Sequence, residues 1–166
     1  MVTKKEIVDK ALELGFEDVG FASAEPFSEH KQLLQNKQEE YGWAEDLGLK
    51  LLKGTDPENS LPGAKSIVVL LENYYKQGFP RWMEGHFGRC YLDDDRVTKD
   101  GLSRKIKEFR KFFSEHEINT KVPFNLPHRA AAARAGLGTF GKNCLLYANR
   151  VARGSSFVLP VAVVVD

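Results

Sequence analysis

The chain has 166 residues, with 24 basic against 23 acidic side chains and a formal charge of +1. That length suits one domain, which on folding buries roughly 70% of its unfolded surface. The even balance excludes a global electrostatic pull toward nucleic acid or membrane and leaves room only for a local basic patch. Two cysteines, Cys90 and Cys144, exclude a disulfide framework and cannot supply the four thiolates of a four-iron cluster. The longest apolar stretch, Phe157 to Val165, is far shorter than the ~20 residues of a membrane-spanning helix. The first residues lack an apolar signal core, so the expected location is the cytoplasm.

Thr3-Lys4-Lys5-Glu6 has the spacing of a capping box, in which the Thr hydroxyl and Glu carboxylate satisfy free helix donors. Ile7, Ala11, Leu12 and Leu14 follow at helical spacing, and Gly15 offers a stop. A strand is expected over Val19 to Ala22, a second helix around Leu33, Leu34 and Tyr41, and a third over Leu47 to Leu52. Pro57, Pro62 and the flanking glycines make residues 54–63 a loop. Ser66 to Leu71 is a β-branched apolar run, predicted to be a strand buried on both faces. Residues 74–95 lack a clean period and carry Gly78, Pro80, Gly85 and Gly88. A loop of that length inside a domain is more often functional than idle. Asp100 to Glu117 reads as a helix with the apolar stripe Leu102, Ile106, Phe109 and Phe113. Lys105, Lys107, Arg110 and Lys111 fill its other face, read as ordinary solvated surface.

Pro123 to Pro127 is predicted to be an extended connector and His128 to Ala135 an alanine-rich helix. Cys144 to Tyr147 and Phe157 to Val165 are the last expected strands, joined by a turn around Arg153-Gly154-Ser155. Cys144 reads as a buried small hydrophobe, and Trp43 and Trp82 as core or pocket-wall groups. His30 and His116 are expected to face solvent. His86 stays open between surface and ligand contact, and His128 between its helix N-terminus and a pocket.

Gly136, Gly138 and Gly141 spell G-x-G-x-x-G. A dinucleotide site needs those glycines between a strand and a helix, with an acidic residue about 20 positions on. Here a helix precedes, a strand follows, and the downstream region is apolar, so a Rossmann site is disfavoured. Three glycines in six residues call for positive φ or for close approach of something bulky. A helix-capping turn accounts for Gly136, and a flat macrocycle lying on exposed amides would account for the others. Lys142 and Asn143, just beyond, are the best polar candidates for a cofactor's amide or phosphate groups.

The segment Ala135-Gly136-Leu137-Gly138-Thr139-Phe140-Gly141-Lys142-Asn143 resembles the "AGLGWIGKN" signature of the epoxyqueuosine reductases, with Thr139-Phe140 in place of Trp-Ile. Asp56-Pro57 and Leu61-Pro62-Gly63-Ala64-Lys65-Ser66-Ile67 are similar to that family's "LLPGAKSII" segment, and Asn73-Tyr74-Tyr75 to its "NYY". His128-Arg129 stands at its "ER" pair, and residues 154–166 resemble its "GSW…TD" strand. The resemblance covers residues 56–166. It implies an α/β (α+β sandwich) domain, a central mixed sheet flanked by helices, of nitroreductase-like or cobalamin-processing-like architecture. It further implies that residues 1–166 form a single cobalamin-binding domain. A C-terminal ferredoxin-like domain with two four-iron clusters would follow and deliver electrons.

By the same resemblance, residues 136–143 together with Arg89 and His128 would contact cobalamin. The family's acid-bearing "GRDYH" segment is matched by Gly88-Arg89-Cys90-Tyr91-Leu92, with Cys90 where its aspartate stands. Cys90, Tyr91 and Asp93 are therefore the candidate catalytic proton donors, and no protein-bound metal site is expected. The chain as given would be catalytically incomplete. Its substrate is expected to be a small molecule or a modified nucleoside, and pairing with a second copy stays open. The rival readings are a flavin-dependent, FMN-binding nitroreductase-like enzyme and a non-enzymatic cobalamin carrier.

Overall fold

The computed structural model describes residues 2–75, 81–83, 85, 86, 88 and 101–166. The centre is β2, Ser66–Asn73, the apolar run of the sequence, buried from Ile67 to Glu72. It is enclosed because strands pair on both of its edges and a layer covers each face. β1, Asp18–Ser23, and β6, Val158–Val165, flank it, with Gly20 and Ala162 both opposite Val69. β3, Thr120–Lys121, pairs only with Val164 and Val165 at the far edge. The order is β1-β2-β6-β3. A mixed sheet was expected, yet every ladder among the described residues is antiparallel. The reason is local: Ser23 lies opposite Ser66, so the excursion between β1 and β2 leaves and returns at the same end of the sheet.

One face carries α1, Lys4–Glu13, and α6, Leu102–Ser114. The capping box of α1 is formed, with the Glu6 amide donating to Thr3 Oγ1 at 3.3 Å and the Thr3 amide to the Glu6 carboxylate at 2.8 Å. Gly15 closes the helix end at φ +87°. The α6 stripe buries Phe109 and Phe113 against Val68, Leu70 and Val163, with Phe16 edge-on to Phe109 at 6.3 Å. One residue of its basic face departs from the expected solvated role. Lys105 Nζ lies 2.9 Å from Glu72, whose side chain is 3% exposed, so this lysine neutralises a carboxylate buried on β2.

The other face carries α7, His128–Arg134, and the hairpin of β4, Gly138–Phe140, with β5, Leu146–Ala148. Ala131, Ala132, Leu137, Leu146 and Ala148 pack there on Ile67, Val69, Leu71 and Ala162. Small side chains let the backbones come close. A Cβ on Gly20 would sit 2.8 Å from Leu137 and 2.9 Å from Ala135.

Between β1 and β2 the chain forms four short helices, α2 Ser28–Asn36, α3 Gln38–Tyr41, α4 Trp43–Asp46 and α5 Leu51–Gly54, then a 3-10 turn at Pro57–Asn59. The helix expected over Leu47 to Leu52 is broken because Gly48 and Lys50 take positive φ, +76° and +51°. Only Ala44 of α4 is buried, which turns Trp43 outward; Trp43 and Trp82 are 57% and 75% exposed rather than core groups. Among the described residues no helix is long and apolar enough to cross a membrane.

Candidate functional site

The glycine segment folds as the turn leaving α7 and the first strand of the β4–β5 hairpin. Each glycine has a cause inside the fold. Gly136 takes φ +73° just past the helix end, the usual left-handed stop. A Cβ on Gly138 would meet the Tyr147 carbonyl at 2.5 Å, and one on Gly141 would meet the Tyr147 ring at 2.5 Å. The two strands thus meet at backbone contact at Gly138, and at Gly141 the turn packs on the Tyr147 ring, so the sequence pattern needs no ligand to explain it.

Hydrogen bonding sets which way the hairpin presents itself. The amides of Gly141 and Asn149 donate to Leu145 and Leu137 carbonyls, each at 2.9 Å. With the register Gly138↔Ala148, Thr139↔Tyr147 and Phe140↔Leu146, alternation in an antiparallel ladder turns the amides of Gly138 and Phe140 away from β5. They point to the outer edge of β4, which pairs with no other strand among the described residues; the edge is exposed at Phe140 and buried at Gly138. The side chains of Thr139, Phe140 and Lys142 are exposed beside that edge. An open strand edge flanked by an aromatic ring and a cation can receive the amide groups of a flat, amide-fringed cofactor such as a corrin, so these residues fit one.

Other candidates are committed inside the protein. Leu137 is a core side chain, 3% exposed. The Asn143 amide nitrogen donates to Tyr147 Oη at 3.1 Å and its oxygen accepts from the Leu145 amide at 3.2 Å, fixing the hairpin tip. Cys144, expected in the core, stands exposed at that tip with φ +60°, because the strand starts only at Leu146.

His128 is held at both ring nitrogens. Nε2 lies 2.8 Å from the Pro123 carbonyl, and Nδ1 lies 2.9 Å from the Ala162 amide. A carbonyl only accepts and an amide only donates, which assigns the neutral ring with its proton on Nε2. Burial holds its pKa below the usual histidine value. The sequence signal was there only in hindsight. β3 is two residues long, so the Ala162 amide on β6 has no strand partner, and His128 occupies that place.

Beside the hairpin an open cleft of about 450 Å³ runs between the start of α2 and α7, lined by Phe27, His30, Ala133, Arg134 and Phe140 among others. The Arg134 guanidinium lies 3.8 Å over the Phe27 ring and donates to the carbonyls of Ser23, Glu25 and Pro26. His30 is half-buried rather than solvent-facing, and burial pushes its pKa down. No spacing in the sequence announces this cleft, because its walls meet only in the fold.

At the far end of β2, Phe157 stacks on Tyr75 at 4.7 Å and meets Tyr74 edge-on at 5.9 Å. His116 is exposed, with Nδ1 2.8 Å from the Phe112 carbonyl, and His86 is exposed. The candidate proton donors Cys90, Tyr91 and Asp93, and Arg89 with them, lie outside the described residues. Among the described residues no group of three His, Cys, Asp or Glu side chains could hold a metal ion.

Comparison with known proteins finds no matching family model. The chain is 33% identical over 156 residues to the epoxyqueuosine reductase of Bacillus cereus, across 85% of this chain and 40% of that protein. It is likewise 33% identical over 157 residues to that of Staphylococcus aureus, across 84% of this chain and 39% of that protein. The chain therefore spans about two fifths of the length of the curated relatives it matches. A crystal structure of epoxyqueuosine reductase with an epoxyqueuosine-modified tRNA stem loop superposes with a TM-score of 0.71 at 26% identity, covering 98% of this chain and 44% of that one. A Bacillus subtilis epoxyqueuosine reductase, solved with its catalytic loop swung out of the active site, also gives 0.71 at 25% identity, covering 98% and 44%. The expected resemblance and the α/β fold are both met.

Proposed function

We propose, from its homology to the epoxyqueuosine reductases, that this chain is the cofactor-holding part of a cobalamin-dependent reductase acting on a modified nucleoside. The observation that carries the reading is the coincidence of sequence match and geometry at one place. The segment that resembles the family signature is built as an open-edged platform, with the Gly138 and Phe140 amides turned outward and Thr139, Phe140 and Lys142 exposed around them.

Bound there, cobalamin would supply the reductive chemistry at cobalt. The chain's own residues would orient it. The β4 edge amides would take side-chain amide oxygens of the corrin, Phe140 would cover one face and Lys142 would reach a carbonyl or phosphate oxygen. His128, Leu137 and Asn143 would hold the platform in place from behind. The proton would come from the segment carrying Cys90, Tyr91 and Asp93. A thiol keeps its proton at neutral pH, as a phenol does, whereas a carboxyl must be raised to do so. Electrons would come from an iron–sulfur module other than residues 1–166, since two cysteines cannot ligate a four-iron cluster.

Visible spectroscopy tests the reading. The purified chain is titrated with hydroxocobalamin and separately with FMN. A shifted cobalamin spectrum that is lost in Phe140→Ala and weakened in Lys142→Ala is expected. A flavin shift without a cobalamin shift overturns the proposal in favour of a flavoenzyme.

A further inference from the structure

At one end of the sheet β1 stops, β2 starts and β6 stops, so that Ser23, Ser66 and Val165 lie side by side. On the α1–α6 face this end is only partly covered, because α1 begins at Lys4 and α6 finishes at Ser114. Between the helix ends and the strands lies an open cavity of about 360 Å³, bordered by Val2, Ile7 and Phe113 on the helical side. That volume falls within the ~300–1,000 Å³ of small-molecule sites. The sheet stands between this cavity and the β4–β5 hairpin, whose side chains pack on the other face.

The floor is apolar, made by Ile7, Phe21, Val68, Phe113 and Val165. Lys4 and Lys65 stand at the rim, and no acidic side chain lines the cavity. The Lys4 ammonium lies 5.4 Å from the centre of the Phe21 ring, which holds it above the floor. Both lysines are exposed, and neither forms an ion pair or a side-chain hydrogen bond among the described residues. Ser66, two residues before Val68 and so on the same face of β2, adds a hydroxyl that is likewise unengaged among the described residues. Nearby carboxylates are used by the fold itself. Glu6 caps α1, Glu25 accepts from the Ser23 hydroxyl at 3.2 Å, and Asp166 accepts from Asn119 at 2.7 and 3.0 Å.

Each part of this lining excludes a class of occupant. A cation would meet two lysines and no carboxylate, and a neutral hydrocarbon would leave both ammonium groups without a counter-charge. A small, wholly polar anion would leave the apolar floor in contact with water. We propose that the cavity binds a small amphipathic carboxylate, its acyl or aryl body on the floor and its carboxylate at the rim. There Lys4 and Lys65 would supply the positive charge and the Ser66 hydroxyl a donor. Lysine suits a single carboxylate because its ammonium is a compact point charge on a flexible stem. This second site stands on its own lining and does not depend on the reductase reading.

The experiment is a titration of the nitrogen-15-labelled chain with octanoate, followed by two-dimensional NMR. Saturable shifts are expected at the amides of Phe21, Ala22, Ser23, Ser66 and Val165, with those of Gly138–Phe140 unmoved. Two controls divide the ligand into its parts: 1-octylamine keeps the body and inverts the charge, and propionate keeps the charge and lacks the body. Neither is expected to saturate over the octanoate range. Lys4→Met and Lys65→Met should each weaken octanoate about threefold, as for an exposed ion pair, and the double variant about tenfold. If the double variant disturbs the whole spectrum, Lys65→Gln alone decides, with the same loss of about threefold expected. Shifts centred elsewhere, equal saturation by 1-octylamine, or unchanged affinity in the folded lysine variants overturns the proposal. Competition between octanoate and hydroxocobalamin also overturns it, by placing both at one site, whereas failure of hydroxocobalamin to bind at all counts against the reductase reading alone.

Discussion

The two faces of the sheet are closed by different physics. On the α1–α6 face, long helices meet the strands through interdigitated aromatic and branched side chains, sealed by the Glu72–Lys105 pair. On the α7 face alanines and glycines mix with Leu137 and Leu146, and an added Cβ would come within 3.0 Å of the Ala135 carbonyl at Gly20 and 2.5 Å of the Tyr147 carbonyl at Gly138. Side-chain packing can relax by rotamer changes, whereas backbone contact cannot. The α1–α6 face should therefore tolerate volume-conserving change and the α7 face should not. The layer that tolerates least is the one presenting the open β4 edge, as a preorganised platform requires.

Lys105→Met should cost about 3 kcal/mol, because it removes a cation held 2.9 Å from the buried Glu72 carboxylate; urea denaturation at neutral pH measures it, and a neutral result would mean that the Lys105 contact adds nothing to what else holds Glu72. Next, Gly138→Ala should cost about 2–3 kcal/mol by forcing a Cβ against the Tyr147 carbonyl, and Gly54→Ala a similar amount, since its Cβ would fall 2.0 Å from the Asn125 carbonyl. By contrast Ile106→Leu, partly buried on the α1–α6 face, should cost less than about 1.5 kcal/mol. If the two substitution types cost the same, the distinction between the faces fails.

A pH series sharpens the picture of α7. His128 is partly buried and neutral, held at both ring nitrogens, and burial puts its folded pKa below its unfolded value of 6.5. The unfolded chain then binds more protons between those two values. Its contribution is fully present above pH 6.5 and is lost as pH falls through the lowered pKa. Chemical denaturation followed from pH 7.5 to 5 should show that acid limb, and His128→Asn should flatten it while lowering stability at neutral pH. The smallest effect belongs to Thr3→Ala, about 1 kcal/mol for the lost cap, seen as a shift in the denaturation midpoint.

The α1–α6 face was legible in the sequence because its signals are periodic or local. The stripe Leu102, Ile106, Phe109 and Phe113, the box Thr3–Glu6 and the run from Ser66 each report a structure that their own neighbours decide. The α7 face was not. Nothing near Gly138 says that Tyr147 will lie against it, and nothing near His128 says that β3 ends too early to reach Ala162. Lys105 looked like its surface neighbours because Glu72 is thirty-three positions away. Cys144 sat in an apolar run that a hairpin tip interrupts. The candidate platform was found through resemblance of a signature, while its edge amides became visible only in three dimensions.

The central strand has a further consequence, for assembly in time. β2 pairs on one side with β1, completed early, and on the other with β6, whose Val165 lies opposite Ser66. During synthesis the apolar ribbon Ile67–Leu71 must therefore wait, with one edge bare, until almost the whole of residues 1–166 has emerged. Pairing across so long a stretch of chain is slow, and an apolar strand with an open edge is what other chains add to. The most buried element of the finished molecule is thus its most hazardous one in the making.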